Sequence, residues 1–286
     1  MNRISCTCGD ILGLRMVVVS IGMCLLGAPM ASAAILFEDG FESGNLSRTT
    51  GGIHWADSVS AGVSNERAES GAYSLKFTFA GSGGDSFSEQ RFSLGGHYPE
   101  VWIRYDIYIP TNYTHRQNSD SSNNKGYLSI WSGNYSSPNG PLLGLNFWPK
   151  GNSTGPASYA SLHQFGMGLD QHAWSAMPNA IEPEDRGKWI RIVLRFKYAS
   201  AANNDGIAEA WKTRDGQRQK IMSITNGAWY RSGQSAGFDQ GYLLGWANSG
   251  FSETTVFYID NFAISTDSLL SDLPVVPNPP TAVSAD

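Results

Sequence analysis

The stretch YPEVWIRYDIYIPTNY, Tyr98 to Tyr113, decides the fold. From Val101 its pattern repeats every second residue. Val101, Ile103, Tyr105, Ile107 and Ile109 alternate with Trp102, Arg104, Asp106 and Tyr108. Strand side chains point to opposite faces in turn, and β-branched and aromatic residues suit a pleated surface. The first set makes an apolar core face. The second carries an indole, a guanidinium, a carboxylate and a phenol, a row able to contact sugar rings. Its plain alternative is a solvated face with an Arg104–Asp106 ion pair. Pro110 ends the strand or places it at an edge.

Working outward, the same period recurs in SLKFTF (74–79), SFSEQRFSL (86–94), KGYLSIW (125–131), PLLGLNFWP (141–149) and WIRIVLRFK (189–197). NNDG (203–206) reads as a tight turn into the hairpin partner IAEAWKT. GAWYRSG, GYLLGWANSG and TTVFYIDNFAIS complete the series. Positions 111–124 read as a long polar loop, and 150–188 as mostly loop with a helical turn near Glu182–Arg186. No helix of ordinary length is expected. Some twelve short strands without the Cys-Trp-Cys spacing of an immunoglobulin domain predict an all-β, two-sheet jelly-roll sandwich of the concanavalin A-like kind.

The first 33 residues read as a secretory signal: a polar start, the apolar run MVVVSIGMCLLGAPM, then ASA. The jelly roll is expected over 34–267 and a proline-rich linker or tail over 268–286, with further C-terminal modules as a corollary. Export implies a secreted or periplasmic protein with no stable membrane insertion. All three cysteines, Cys6, Cys8 and Cys24, fall in the leader, so no disulfide is expected in the mature chain. Charged residues make up 16% of the chain and the net charge is -5, which argues against a nucleic-acid partner.

Alternation sorts the polar side chains by face. Glu89 and Arg91 share a face with Phe87, and Gln90 takes the other. Lys125, Tyr127, Ser129 and Trp131 are expected outside, as are Asn146, Trp148, Trp189, Arg191 and Arg195. Trp211 shares a face with Glu209. If these strands form one concave sheet, Arg91, Arg104, Lys125, Arg191 and Arg195 converge with Trp102, Trp148 and Trp211 in a cationic, aromatic groove. Guanidiniums grip carboxylates in bidentate fashion and indoles stack on sugars, so an anionic polysaccharide is the expected partner. The alternative is five scattered cations neutralised by Glu89, Asp106 and Glu209.

A polyuronate can be cut by β-elimination, which needs a base at C5, an acid for the leaving oxygen and a group that neutralises the carboxylate. His163 is the candidate base. Tyr108 and Tyr127 are the candidate tyrosines, and Asn146 or Gln90 the neutralisers. Hydrolysis is the rival chemistry, but no strand shows alternating acids of the kind a retaining carboxylate pair needs. A binding module would keep the groove without the base.

SEQRF (88–92) resembles the SELR-type strand of the concanavalin A-like jelly-roll polysaccharide lyases, the alginate-, glucuronan- and heparin-lyase-like group. That resemblance implies a fold over about Ile35 to Ser265. It also implies that Glu89 and Arg91 line the groove. Phe87 stands where the family has an arginine. LHQ (162–164) is similar to the family's QIH-type segment and implies His163. FEDGFESG with YIDNF resembles secreted jelly-roll modules that hold structural calcium. First and last strands often pair in such folds, so Glu38, Asp39, Glu42 and Asp260 are the expected Ca²⁺ ligands. The other reading makes them turn residues capping their own backbone amides.

Overall fold

Period-two sequences must pair into sheets, and one apolar face per strand forces two sheets to stack. The computed structural model describes residues 35–117, 125–138, 140–166, 169–174, 177–200, 203–230 and 237–270. The expected leader (1–33) and the tail from 271 onward lie outside the described residues. In chain order the strands are β1 (Ile35–Asp39), β2 (Thr49–Thr50), β3 (Ile53–Val59), β4 (Ala61–Ser64), β5 (Ser74–Phe79), β6 (Ser86–Tyr98), β7 (Glu100–Ile109), β8 (Lys125–Trp131), β9 (Gly133–Asn134), β10 (Ser137–Pro138), β11 (Leu142–Pro149), β12 (Ser158–Gly166), β13 (Leu169–Trp174), β14 (Lys188–Lys197), β15 (Gly206–Arg214), β16 (Gln217–Gly227), β17 (Phe238–Ala247) and β18 (Thr255–Ser265). Two single 3₁₀ turns are the only helical elements among the described residues.

One sheet runs β16-β15-β14-β7-β18-β5-β4, with β1 also on β18. The other runs β13-β12-β11-β8-β17-β6-β3-β2. All pairings are antiparallel. The architecture is the expected all-β sandwich. As alternation demands, Val101, Ile103, Tyr105, Ile107 and Ile109 on β7 are fully buried in the core between the sheets. Asn204 in the NNDG turn has φ of 49°, the left-handed conformation that hairpin needs.

Three expectations fail here. First, β6 and β7 are separated by Pro99 alone, yet they belong to opposite sheets. Second, 150–188 is not mostly loop: it contains β12 and β13. Their inward residues include the small Ala160 and Ala173 beside Leu162, so the apolar signal is faint. Third, Tyr127 does not face out. Leu145 pairs with Leu128 but Asn146 pairs with Gly126, so Tyr127 is the extra residue of a β-bulge. Tyr127 and Leu128 both enter the core, and the Tyr127 ring packs edge-on against Phe147.

Trp55 on β3 joins the two sheets. Its ring centroid lies 4.8 Å from Phe262 on β18 and 5.7 Å from Phe37 on β1, and edge-on to Phe92 of its own sheet. Its indole N–H donates to Asp39 Oδ2 at 2.8 Å. Trp55→Ala should cost about 3–5 kcal/mol of unfolding free energy. Trp55→Phe, which leaves the buried Asp39 oxygen short of a donor, should cost about 1–3 kcal/mol. Urea unfolding checks both; equal, small losses would remove Trp55 from this role.

Candidate functional site

The sheet switch at Pro99 divides the expected groove. Arg91 stands on the outer face of the β6 sheet. Trp102, Arg104, Asp106, Tyr108, Arg191, Arg195 and Trp211 stand on the outer face of the other sheet. The single trough of converging cations is therefore not built. On the β7 sheet carboxylates neutralise Arg191 and Arg195. Arg191 grips Asp106 in bidentate fashion at 2.7 and 2.8 Å. Arg195 bonds Glu100 at 2.7 Å and Glu209 at 3.3 Å, and Lys220 bonds Glu209 at 2.7 Å. Trp102 and Trp211 stack on each other at 5.6 Å and are covered by Leu269 and Leu270, so neither offers a ring face to a sugar. Arg104 sits between Val193 and Ala263 in the same face. Tyr108 is buried against Trp189 and Tyr258 with Arg67 over its ring, remote from His163.

Tyr127 also leaves the list of acids and bases. It is buried in the core, and burial drives its hydroxyl far above the ordinary tyrosine value. Gln90 is fully buried on the inner side, donating to the Ala56 and Arg91 carbonyls. The side chain of Lys125 lies outside the described residues; its backbone pairs with Phe147 and Ala247.

The remaining residues do meet. Across the outer face of the β6 sheet one transverse row reads Arg91, Tyr242, Ser129, Gly144 and His163. Large side chains end this row and the two smallest occupy its middle. The result is a cleft of about 300 Å³, lined by Gly126, Ser129, Tyr135, Leu142, Asn146, His163, Phe165, Tyr242 and Trp246, with Asp85 and Asn248 at its margin. Gly144 leaves room for its lining neighbours: a Cβ there would lie 2.9 Å from Ser129 Oγ and 3.5 Å from Asn146 Oδ1. Asn146 is one row from His163, opposite Ser161, and Trp148 continues the same face.

The walls are held from below. Tyr135 is carried by the β9–β10 hairpin, which Asp239 fixes by accepting the Gly133 amide. Tyr135, Trp131 and Tyr242 form a cluster on the outer face. Arg91 reaches over Tyr135, its guanidinium 5.2 Å from the ring, and its Nε donates to the buried Glu89. Burial raises the Glu89 carboxyl while Arg91 pulls it back. Burial also holds the Tyr242 hydroxyl well above its ordinary value; Tyr135 adds to this, and a hydrogen bond with Ser129 opposes it. Tyr242 thus stays protonated at neutral pH. Asp85 accepts the Ser249 amide at 3.0 Å.

Ser129, Asn146, Trp148, Glu89 and Arg91 take the outward positions that alternation predicts; His163, expected in a loop, stands on β12, and Tyr242, Tyr135 and Trp246 join them unforeseen. GYLLGWA does not alternate cleanly. Leu244 has φ of 60° and Gly245 of 88°, so β17 carries its own bulge beside that of β8.

The calcium candidates lie at the paired ends. β1 runs along β18, with Asp39 opposite Phe262. Asp39 accepts the Phe41 amide as well as the Trp55 indole, Glu42 accepts the Ala72 and Tyr73 amides, and Asp260 accepts the Glu69, Ser70 and Asn261 amides. Glu38 is exposed and Asp39 buried on alternate sides of β1, so their side chains do not face one ion. Among the described residues, no group of three or more His, Cys, Asp or Glu stands at metal-binding distance. Among them also, no helix is long and apolar enough to cross a membrane.

No protein-family model matches the sequence, and no curated protein matches it significantly. Solved structures match through the fold. The marine PL-14 alginate lyase from Aplysia kurodai aligns with a TM-score of 0.52 at 13% identity, over 82% of this chain and 100% of that one. Alginate lyase vAL-1 from Chlorella virus aligns at 0.48 and 13%, over 76% and 94%. The cellulose-induced protein Cip1 aligns at 0.48 and 14%, over 81% and 97%. At 13% identity the first of these likenesses shows the fold alone.

The bulge account makes a stability prediction. A methyl at Gly126 would lie 1.8 Å from the Leu244 carbonyl, which is backbone; the one tight contact at Gly144 is with the rotatable Ser129 hydroxyl at 2.9 Å. Gly126→Ala should lose about 1–3 kcal/mol and Gly144→Ala under about 1 kcal/mol. Thermal or urea unfolding giving the reverse order would sink the account.

Proposed function

We propose that the cleft binds a uronic-acid-containing polysaccharide and cleaves it by β-elimination. The observation that carries this reading is the transverse row. His163 and Tyr242 stand about 14 Å apart at Cα, three strand spacings, with only Ser129 and Gly144 between them. A sugar ring seated over the small pair has an imidazole on one side and a phenol on the other. His163 takes the proton from C5. The electron pair forms the C4–C5 double bond as the C4–O bond breaks, and Tyr242 gives its proton to the departing oxygen. The Asn146 amide neutralises the uronate carboxylate as charge builds, and the Glu89-anchored Arg91 lends positive charge behind Tyr242 and Tyr135. Hydrolysis by a carboxylate pair is less well supported. Among the described lining residues Asp85 is the only carboxylate, and a retaining pair needs two about 5–5.5 Å apart.

A second reading has its own support. Glu89 takes the Arg91 charge and Asp85 brings a carboxylate to the cleft, which suits binding of a less charged chain without cleavage. The test is incubation with alginate, glucuronan, pectate and glycosaminoglycans while following the ultraviolet absorbance of the unsaturated product. The lyase reading expects product from wild type, loss of about 10²-fold or more in kcat for His163→Ala and Tyr242→Phe, and retained binding. Since the Tyr242 hydroxyl is raised, its protonated form persists as pH climbs. The rate should show no alkaline loss from this group below the ordinary tyrosine value of 10.0. Binding by wild type without product would establish the binder instead.

We also propose a structural calcium ion at the paired ends. β1–β18 pairing supports it by setting Gly40 beside Asp260 and Asn261: a Cβ on Gly40 would lie 3.9 Å from Oδ1 of each. Calcium should raise the melting temperature, chelation should lower it, and Asp260→Asn should abolish the difference. A melt indifferent to both additions would remove the ion.

A further inference from the structure

Trp246 is the one tryptophan among the large apolar side chains left exposed in the described residues, at 52%. It is not loose. Its ring lies edge-on against Phe87 with centroids 5.7 Å apart, and its indole N–H points to Asp85 Oδ2 at 3.4 Å. Its nitrogen is engaged, and about half of the residue stays open to solvent. The β17 bulge sets that pose: Gly245 has no side chain, and a Cβ there would stand 2.6 Å from the Tyr242 ring.

Trp246 also marks a junction. It lines the cleft, while its partner Phe87 lines a second, wider recess of about 870 Å³ along β4, β5 and the start of β6. Asp85 lines both. The recess is walled by Ser60, Ser64, Thr78, Ser86 and Thr254, hydroxyl-bearing residues of the kind that hydrogen-bond sugars, and its Lys76 is paired with Glu66.

We propose that Trp246 is a sugar-stacking subsite that leads a long polysaccharide out of the cleft, across the Trp246–Phe87 ridge, and into this recess. The proposal rests on the polysaccharide reading above and adds a second binding region with a direction. An indole face is the natural contact for the apolar face of a pyranose, and the flanking hydroxyls satisfy its rim. Chains long enough to span both regions should bind better than short ones, and cleavage would fall within chains rather than at their ends.

The test is affinity electrophoresis through gels cast with alginate, pectate, glucuronan or chondroitin sulfate, with His163→Ala as background so that no chain is cut. The disaccharide of each retarding polymer serves as competitor. Trp246→Ala should weaken retardation by the polymer about tenfold, the scale of one lost ring contact. It should leave competition by the disaccharide unchanged, and Trp246→Phe should recover most of the loss. A Trp246→Ala protein with an unaltered melt and full retardation overturns this subsite and leaves the cleft reading standing. Equal weakening for polymer and disaccharide also overturns it, since Trp246 would then serve only the sugar in the cleft and lead no chain beyond it. Wild-type protein retarded by none of the polymers overturns both.

Discussion

The indole of Trp55, wedged between β1, β18 and β6, is the contact on which the sandwich depends. No cysteine follows Cys24, so nothing covalent joins the sheets. Phe37, Phe41, Phe92 and Phe262 surround the ring, and Asp39 holds its N–H. Aromatic burial is large per residue and the buried carboxylate is costly if left unpaired, so this cluster supplies both cohesion and register. Asp39 also accepts the Phe41 amide, which ties the first turn to the same point.

From that cluster the sheets diverge into outer faces of different character. The β7 face is closed: Asp106, Glu100 and Glu209 each hold an arginine or lysine, and its paired tryptophans lie under Leu269 and Leu270. The β6 face is open along one row because Ser129 and Gly144 are small. Two bulges, at Tyr127 on β8 and at Leu244–Gly245 on β17, sit side by side there. The first sends Tyr127 inward, as a bulge aims side chains that regular alternation would place elsewhere. Tyr242 and Trp246, four residues apart, keep to the outer face through the unbroken register of β17 with β6.

The candidate site is thus a product of packing more than of charge. Arg91 is its mapped cation and is already bound to Glu89. What distinguishes the cleft is an imidazole and a buried, proton-retaining phenol in one row, with only the small Ser129 and Gly144 between them. That geometry suits proton transfer across one sugar ring. A face chosen only to attract a polyanion would have left its cations unpaired.

The chain by itself determined the strands whose alternation is strong. Val101 to Ile109 and Ile190 to Phe196 were legible because each inward residue is large and apolar, and NNDG was legible because few residues tolerate its backbone. Glu89 and Arg91 could be assigned a common face, as could Asn146 and Trp148, since a two-residue period fixes side. The period says nothing about which sheet a strand joins. Pro99 sends β6 and β7 to opposite sheets, and only that crossing separates Arg91 from Arg104 and Arg191. β12 stayed hidden because Ala160 gives little apolar signal, and with it the strand that carries His163. Tyr127 was decided by a bulge, which arises when two neighbouring strands differ by one residue in length. That mismatch exists only between partners, so tertiary pairing alone could settle it.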